Sequence, residues 1–328
     1  MKGTMMKRRF LQQSLLLPVL FLCGAGLLRA EWTVEKNDQT GQWLILENGK
    51  PVLQYNYAIL PLPEDFWDKV KSNEAYVRKY AVPRCDYIQP LFDLDGNPVT
   101  KDWSDDHPHH RGIYWAWPEV GYKGEFGDLH ALQTIFARPT GKIETVRKNG
   151  QLRLTAENEW KWQDKEPIVN EQVTITVFPQ DKNGRKINLD LRFEALADEV
   201  TLARRGTQSY GGLNIRMLPL ADWKANVFHA KEDAAQNPAW VSASWKNPKS
   251  DGRTELTVLE KTTNPDYPGA FIQFPNLNWF QPTFPKSGTR YTLKKGEPLV
   301  LNYQLWIHNA ADDDTAKKET WEKFQKEK

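Results

Sequence analysis

Beyond residue 31, the chain alternates apolar and polar positions in short runs that tight-turn dipeptides separate. Val173, Ile175 and Val177 occupy alternate positions with threonines between them, and the same alternation continues from Ile187 to Phe193. A period of two residues is typical of a β-strand with one face on a core and the other against solvent or a second layer. The pattern therefore predicts an all-β chain.

Asn-Gly pairs mark the turns between neighbouring runs. Asn48-Gly49, Asn149-Gly150 and Asn183-Gly184 each separate two β-favouring segments. Asn-Gly accepts the positive φ angles of a type I′ turn, which joins two antiparallel strands in a hairpin. The third hairpin needs a longer loop. Because so many strands in one open sheet would curl or split, we expect two stacked sheets forming a large antiparallel β-sandwich.

Helical patterns are rare along the chain. Strong helix formers fill positions 315–328, where Trp321 and Phe324 are spaced to dock one helix face on a sheet. We therefore predict a short C-terminal helix. Residues 62–80 are compatible with either a short helix or a loop.

The first 30 residues have the composition of an export signal. Basic residues at positions 7–9 precede an apolar run from 15 to 28, and Ala30 supplies a small residue for cleavage. The run is short for a membrane-spanning helix. We therefore predict that residues 1–30 are removed. Residues 31–328 would then form a single β-sandwich domain in the periplasm or outside the cell, with no stable membrane span.

Composition and motifs exclude several classes of function. The formal net charge of +2 provides no overall field for a nucleic-acid partner. Without the signal, Cys85 is the sole cysteine, so no intramolecular disulfide can form. The sequence contains no G-x-G-x-x-G, P-loop, G-x-S-x-G or H-E-x-x-H motif. Nucleotide-dependent chemistry, a nucleophile-elbow hydrolase and a zincin are therefore disfavoured.

The stretch "DDHPHHRGIYWAW" places three of the six histidines within four residues. If this segment were extended, His107 and His109 would point to one side and His110 to the other. Two imidazoles on one face can bind a divalent cation, with Asp105 or Asp106 as a further ligand. The spacing therefore predicts a tentative metal site at His107 and His109. The proline between them favours a loop or an edge over a central strand.

The same residues also suit acid/base chemistry without a metal. One imidazole would move a proton, Asp106 would orient it, and Arg111 would hold a carboxylate or stabilise an oxyanion. In the structural alternative, the histidines cap turns and Arg111 pairs with Asp105 or Asp106. Three histidines followed by Arg-Gly favour a functional site. The predicted catalytic residues are Asp106, His107, His109, His110 and Arg111.

Aromatic and polar residues near this cluster, or in later segments, complete the predicted site. Flat rings beside a polar centre suit the faces of sugars, although most tryptophans of a large sandwich lie in its core. The predicted substrate-binding residues are Arg84, Tyr87, Trp115, Trp117, Tyr210, Arg216, Trp279 and His308. The cofactor is not determined by the sequence, and a divalent metal ion is the candidate.

Three segments resemble the PmoA-like family of exported bacterial proteins, which carries the label "methane oxygenase PmoA". They are the D-H-P-H-H-R-G motif with its flanks, "SYGGLNIRM" and "LNYQLWIHN". The resemblance implies a large β-sandwich akin to the supersandwich of sugar mutarotases, and an association with the breakdown of polysaccharides and glycosides. The methane monooxygenase subunit of that name is an integral membrane protein, whereas this chain has no apolar run of spanning length after residue 30.

Three hypotheses follow for the function. The leading one is an exported carbohydrate-active enzyme that acts on a glycoside or an oxidised sugar by hydrolysis, elimination or epimerisation. The second is a non-catalytic carbohydrate-binding protein in which the cluster only orders a loop. The third, which follows the family label, is a metal-dependent oxygenase.

Overall fold

The computed structural model describes residues 30–71, 73–229, 237–310 and 314–327. Apart from Ala30, the predicted export signal lies outside these residues. The signal, its cleavage and the single-domain organisation of the remaining chain therefore stay predictions.

Within the described ranges the chain forms twenty strands and three α-helices. The first half contains β1 (Trp32–Asn37), β2 (Gln42–Glu47), β3 (Lys50–Asn56), α1 (Phe66–Lys69), α2 (Glu74–Tyr80), β4 (Tyr87–Leu91), β5 (Ile113–Ala116), β6 (Glu119–Tyr122), β7 (Glu125–Gly127), β8 (Ile135–Lys148) and β9 (Gln151–Trp162). The second half contains β10 (Glu166–Val177), β11 (Arg185–Ala195), β12 (Thr201–Ala203), β13 (Gly212–Arg216), β14 (Lys224–His229), β15 (Ala239–Lys246), β16 (Arg253–Glu260), β17 (Phe271–Phe274), β18 (Trp279–Pro282), β19 (Tyr291–Thr292), β20 (Leu299–Asn309) and α3 (Thr315–Lys326).

The strands form three antiparallel sheets. The first sheet has the order β1-β2-β3-β4-β5-β13-β18-β17, and the second has the order β14-β15-β16-β20-β11-β10-β9-β8. A smaller sheet has the order β19-β12-β6-β7. One buried apolar cluster contains side chains from both large sheets, among them Ile45 of the first and Val173 and Leu191 of the second. The predicted all-β class and large antiparallel β-sandwich are confirmed.

Local sequence signals account for the hairpins. Asn48-Gly49 joins β2 to β3 and Asn149-Gly150 joins β8 to β9, and all four residues have positive φ angles. These are the two-residue turns that their sequence predicts. Asn183-Gly184 ends a longer connection between β10 and β11, as expected.

The predicted C-terminal helix is also present, as α3. Its buried Trp321 and Phe324 pack with Trp240 and Leu259 of the second sheet. Burying a side chain such as Phe324 contributes about 2 kcal/mol, which docks the helix on the strands. Residues 62–80 contain the short helices α1 and α2. Across the described segments, every helix falls short of the length and apolar content that crossing a membrane requires.

The register of the first sheet decides which residues can reach a site outside the core. Tyr114 of β5 lies opposite Asn214 of β13, and Arg216 lies opposite Trp279 of β18. Cross-strand partners share a face, so these four side chains lie on one face of the sheet. Trp115 points to the other face, where its indole contacts Glu171 of the second sheet. The four residues therefore lie on the outer face of the sandwich.

Candidate functional site

The long connection between β4 and β5 contains the histidine motif and folds over this outer face. His110 N donates to the carbonyl oxygen of His107 at 2.9 Å, which closes a turn around the proline. The expected loop is confirmed, and the side-to-side alternation expected for an extended segment is absent. A turn brings successive side chains together, so the rings of His107 and His110 lie 5.0 Å apart and those of His109 and His110 lie 4.6 Å apart.

Gly112 ends this connection in a backbone conformation that few other residues adopt. Its φ angle is +40°, and a Cβ atom there would collide with the carbonyl oxygen of Ile88 in β4. Gly112 N donates to Lys101 O at 2.8 Å, and Arg216 N donates to Gly112 O at 2.8 Å. Gly112 therefore holds the end of the β4–β5 connection close to β4 and to Arg216 of β13.

A fourth histidine, His130, comes from the segment between β7 and β8. We call His107, His109, His110 and His130 the histidine group. The ring of His130 lies 5.2 Å from that of His109 and 5.3 Å from that of His110. Its Nε2 atom lies 2.9 Å from the hydroxyl of Tyr114. The segment is held by Asp128, whose Oδ1 atom accepts a hydrogen bond from Ala131 N at 2.8 Å. The fold thus adds a histidine that the motif does not contain.

Three of these histidines have the spacing of a metal-binding group. One ligand atom from each of His109, His110 and His130 lies within 4.8 Å of the others, and all three residues are buried. The tentative pair from the sequence was His107 and His109, whose rings lie 5.8 Å apart. In this part of the structure, His109 therefore groups with His110 and His130, while His107 lies beside them.

Arg84 ties the two histidine segments together. Its Nη1 atom donates to the carbonyl oxygens of His109 at 3.1 Å and His130 at 3.2 Å, and its Nη2 atom donates to Leu129 O at 2.6 Å. The guanidinium also lies over the ring of Tyr114, 4.7 Å from its centroid. Arg84 was predicted to bind substrate, and the structure places it beneath the histidines, bonded to the backbone of both segments.

Burial keeps the inner histidines uncharged. It lowers the pKa of His109 to about 3, and His107 and nearby arginines lower that pKa further. Burial also holds the pKa values of His110 and His130 well below the ordinary range of imidazole, and the neighbouring rings add to the effect. At neutral pH each of the three rings therefore has one unprotonated nitrogen, whose lone pair can accept a hydrogen bond or bind a metal ion.

His107 and Asp106 form the more exposed part of the group. The Nδ1 atom of His107 lies 3.1 Å from Asp106 Oδ2, and the side chains are 31% and 39% exposed. The other carboxylate oxygen of Asp106 lies 3.3 Å from Nη2 of Arg216. The contact with His107 and the charge of Arg216 hold the pKa of Asp106 well below its usual range. Asp106 is therefore an anion that orients one imidazole and one guanidinium.

Three tyrosines surround the histidines where the site meets solvent. Tyr76 and Tyr80 lie on α2, with their rings 6.3 Å from His107 and 5.0 Å from His109. Tyr210 lies 5.0 Å from His130. We call these three residues the tyrosine rim. The side chain of Asn73 caps α2 by accepting from Tyr76 N, so a local sequence signal positions two of the rim residues.

Trp279 lies beneath the rim and is almost fully buried. Its ring centroid is 4.6 Å from that of His110, and the ring of Phe274 stacks on it with the centroids 4.6 Å apart. The indole nitrogen is buried and has no hydrogen-bond partner among the described residues. Trp279 and Tyr210, both predicted from the sequence, therefore contact the histidine group together with Arg216.

Three other predicted substrate-binding residues lie elsewhere. Trp115 and Trp117 face the inside of the sandwich, where Trp117 is fully buried and packs against Trp160 and Phe193. They share a face as the alternation predicts, but that face is the one between the sheets. His308 lies on β20 in the second sheet, where it stacks on Trp306. The structure does not bring these three residues to the histidine group.

Arg111 and Tyr87 also turn away from the histidines. Arg111 is fully buried, pairs with Asp102 at 3.2 Å and lies over the ring of Trp103. Tyr87 donates to the same carboxylate at 3.2 Å. The expected partners Asp105 and Asp106 are therefore replaced by Asp102. Because Arg111 makes these buried contacts, it orders the motif rather than reaching a ligand at the histidines. Asp102 and Trp103 line a separate cleft of about 980 Å³.

Reasoning from sequence missed several residues of the site. They are His130, Asp128, Tyr76, Tyr80 and Arg205, whose guanidinium pairs with Asp128. None lies within a motif, and His130 stands alone in an ordinary loop sequence. The Asn73 cap was the only local signal for α2 and its tyrosines. Only the path of the chain brings these residues to the cluster.

Comparison with known proteins identifies the family of the chain but not its function. The model of the DUF6807 family, described as a family of unknown function, matches residues 42–322. No curated protein matches the chain. Among solved structures, a candidate kojibiose phosphorylase from the human microbiome is similar with a TM-score of 0.33 and 9% identity, over 66% of this chain and 26% of that chain. The chain thus spans about a quarter of that protein, and a likeness of this size supports no conclusion about function.

Proposed function

Because this chain belongs to the DUF6807 family, whose function is unknown, we propose an activity from the site alone. The chain is a carbohydrate-active enzyme that acts on a glycoside or an oxidised sugar at the histidine group. The observation behind this proposal is the half-exposed His107–Asp106 pair, which lies between buried neutral imidazoles and the tyrosine rim. The reaction belongs to one of three classes, hydrolysis, elimination or epimerisation.

The proton-moving group in this proposal is His107. Asp106 lies 3.1 Å from its Nδ1 atom, which leaves Nε2 to face a ligand and supports an imidazolium when it forms. Arg216 keeps Asp106 charged from the other side, at 3.3 Å. This arrangement combines a base, a carboxylate that orients it and a guanidinium for polar groups of the ligand. Such a positioned acid or base contributes about 10²–10⁴-fold to a rate.

The aromatic residues support a sugar as the ligand. The rings of the tyrosine rim combine an apolar face with a hydroxyl group, which matches a ring that has C–H patches edged by hydroxyls. Trp279 adds an indole N–H without a hydrogen-bond partner in the described structure, and a sugar hydroxyl would satisfy it. A purely apolar ligand would leave the charged pairs at Asp106 and Asp128 without a role.

The location is part of the same proposal. The N-terminal composition and the resemblance to exported PmoA-like proteins support a chain that leaves the cytoplasm. N-terminal sequencing of the protein from the periplasm and the medium would test it. A start near Glu31 is expected, and an intact Met1 in the cytoplasmic fraction alone would contradict it.

A substrate screen tests the proposed activity. The purified mature chain is incubated with a panel of glycosides and 3-keto-glycosides, and the products are followed by mass spectrometry. We expect at least one substrate to be converted, and His107→Gln and Asp106→Asn to lower turnover by about 100-fold or more. His229→Gln, at an exposed histidine of β14, is the matched control and should keep the activity of the wild type.

Two outcomes would contradict the proposed enzymatic function. Full turnover in His107→Gln would remove the assigned acid/base. Binding of a sugar with no product from any member of the panel would replace the enzyme by a carbohydrate-binding protein, which the tyrosine rim alone could support.

A further inference from the structure

We propose that His109, His110 and His130 bind a single first-row transition-metal ion, with Zn²⁺ as the ion that suits the donors best. This inference goes beyond the proposed function, because the ion would bind whether or not the ligand is a sugar. It also differs from the pair of histidines that the motif indicates, since the third donor, His130, comes from a separate segment of the chain.

The donor set has the number and type of ligands that a catalytic metal site uses. Three imidazole nitrogens with a fourth position left open are typical of catalytic zinc. Nitrogens bound to one tetrahedral ion at about 2.1 Å lie about 3.4 Å apart. The ligand atoms here already lie within 4.8 Å of one another, so small side-chain rotations would suffice to bring them to that spacing.

One of the three imidazoles, that of His109, lacks a partner that a buried polar group normally has. His109 is only 9% exposed, and its Nδ1 atom is buried with no hydrogen-bond partner among the described residues. Native structures rarely leave such an atom unsatisfied. A metal ion bound at this nitrogen of His109 would use a lone pair that has no partner among the described residues.

Surrounding groups hold the rings as the outer contacts of a metal site do. The hydroxyl of Tyr114 lies 2.9 Å from Nε2 of His130 and fixes the orientation of that ring. Arg84 binds the backbone carbonyls of both ligand segments. Groups of this kind commonly change metal affinity by about 10–100-fold when they are removed.

The charges near the group do not exclude a cation. Arg84 and Arg216 oppose it, and Arg205 lies nearby, while Asp106 and Asp128 each form an ion pair with one of these arginines. The guanidinium of Arg84 is directed at carbonyl oxygens. The remaining positive charge favours an anionic oxygen as the ligand in the open position.

Metal stoichiometry tests the site directly. The full chain is expressed with its own N-terminus and without an affinity tag, stripped with a chelator, and equilibrated with Zn²⁺ or with Co²⁺ as a spectroscopic probe. We expect one equivalent of ion and, with Co²⁺, the intense visible absorption of a four-coordinate site. His109→Gln and His130→Gln should reduce binding to below about 0.1 equivalent, whereas His107→Gln and His229→Gln should keep it.

Tyr114→Phe keeps the test decisive if a histidine variant fails to fold. This conservative change should lower the affinity for Zn²⁺ by about 10–100-fold while the chain stays folded. Less than about 0.1 equivalent in the equilibrated wild type would overturn the site, and so would loss of the ion in His107→Gln with retention in His130→Gln. Stoichiometry is read without any substrate, so a chain that binds metal but converts no sugar refutes only the proposed function.

Discussion

His109 and His130 are 21 positions apart in the sequence, yet their rings lie 5.2 Å from each other and the guanidinium of Arg84 donates to both of their carbonyl oxygens. A single buried side chain thus sets the distance between two loops that have no strand pairing with each other. The geometry of the histidine group depends on this guanidinium, and several predictions about the site begin from it.

Replacing Arg84 by lysine should damage the site more than the fold. An ammonium group has no planar fork and cannot donate to three carbonyl oxygens in the observed directions. We expect turnover and Zn²⁺ affinity to fall by about 10–100-fold. Arg185→Lys is the matched control, because Arg185 is equally buried but pairs with Glu47 far from the histidines. Denaturant titration should show similar losses of stability in both variants, and an Arg84→Lys site that works as well as that of Arg185→Lys would contradict the assigned role.

Substitution of Gly112 should unfold the motif. Alanine there combines a strained φ angle of +40° with a collision against Ile88 O, and we expect a loss of about 3–5 kcal/mol in the free energy of unfolding. Gly124→Ala is the control, since Gly124 has a φ angle of +78° but nothing within 4 Å of the added Cβ. It should cost about 1 kcal/mol. Urea unfolding measures both, and equal losses would show that the close approach to β4 is unimportant.

Trp115 and Trp279 should respond in opposite ways to replacement by phenylalanine. The indole of Trp115 donates to the buried carboxyl groups of Asp86 and Glu171, so Trp115→Phe should lower the free energy of unfolding by about 2–4 kcal/mol and leave ligand affinity unchanged. Trp279→Phe should instead weaken ligand binding by about 10-fold. Calorimetric titration of both variants with the ligand distinguishes them. Weaker binding in Trp115→Phe alone would contradict a ligand site on the outer face of the first sheet.

Glu260 should make the sandwich less stable as the pH rises. Burial raises the pKa of this carboxyl to about 7, despite a hydrogen bond from Gly269 N, whereas an unfolded glutamate titrates near about 4.3. At a pH between these two pKa values, Glu260 keeps its proton in the folded chain and has lost it in the unfolded chain. The group therefore lowers the free energy of unfolding by about 3–4 kcal/mol as the pH rises from about 4 to 7.

Glu260→Gln removes this titration and keeps an oxygen that can accept from Gly269 N. Urea unfolding of the wild type and the variant across pH 4–8 should show a difference that grows with pH in favour of the variant. Glu297→Gln, at an exposed glutamate paired with Lys294, should follow the wild type. Parallel curves for Glu260→Gln and the wild type would show that Glu260 ionises normally in the folded chain.

The fold could be predicted from the sequence because the signals for strands and turns are local. Two-residue Asn-Gly turns and period-two alternation depend on neighbouring residues, and Asn48-Gly49 forms the expected turn. Alternation also showed that Trp115 and Trp117 share a face. It could not show which face looks inward, because that depends on the second sheet and on partners such as Glu171.

Some residues of the candidate site could likewise be predicted from local sequence, and others could not. The motif indicated His107, His109 and His110 because they are adjacent in sequence. His130 belongs to a segment whose own sequence contains no motif. The path of the chain brings it to the other histidines, and Arg84 donates a hydrogen bond to its carbonyl oxygen. The partner of Arg111 was predicted wrongly, because Asp102, nine positions earlier, pairs with it in place of Asp105 or Asp106.

A crystal structure of the chain with a sugar from the substrate screen tests the central claim most directly. We predict that the ring lies against the tyrosine rim, within hydrogen-bond distance of His107 and of the Trp279 indole nitrogen. A sugar bound instead in the cleft beside Trp103, with the histidine group untouched, would contradict the assignment of the site.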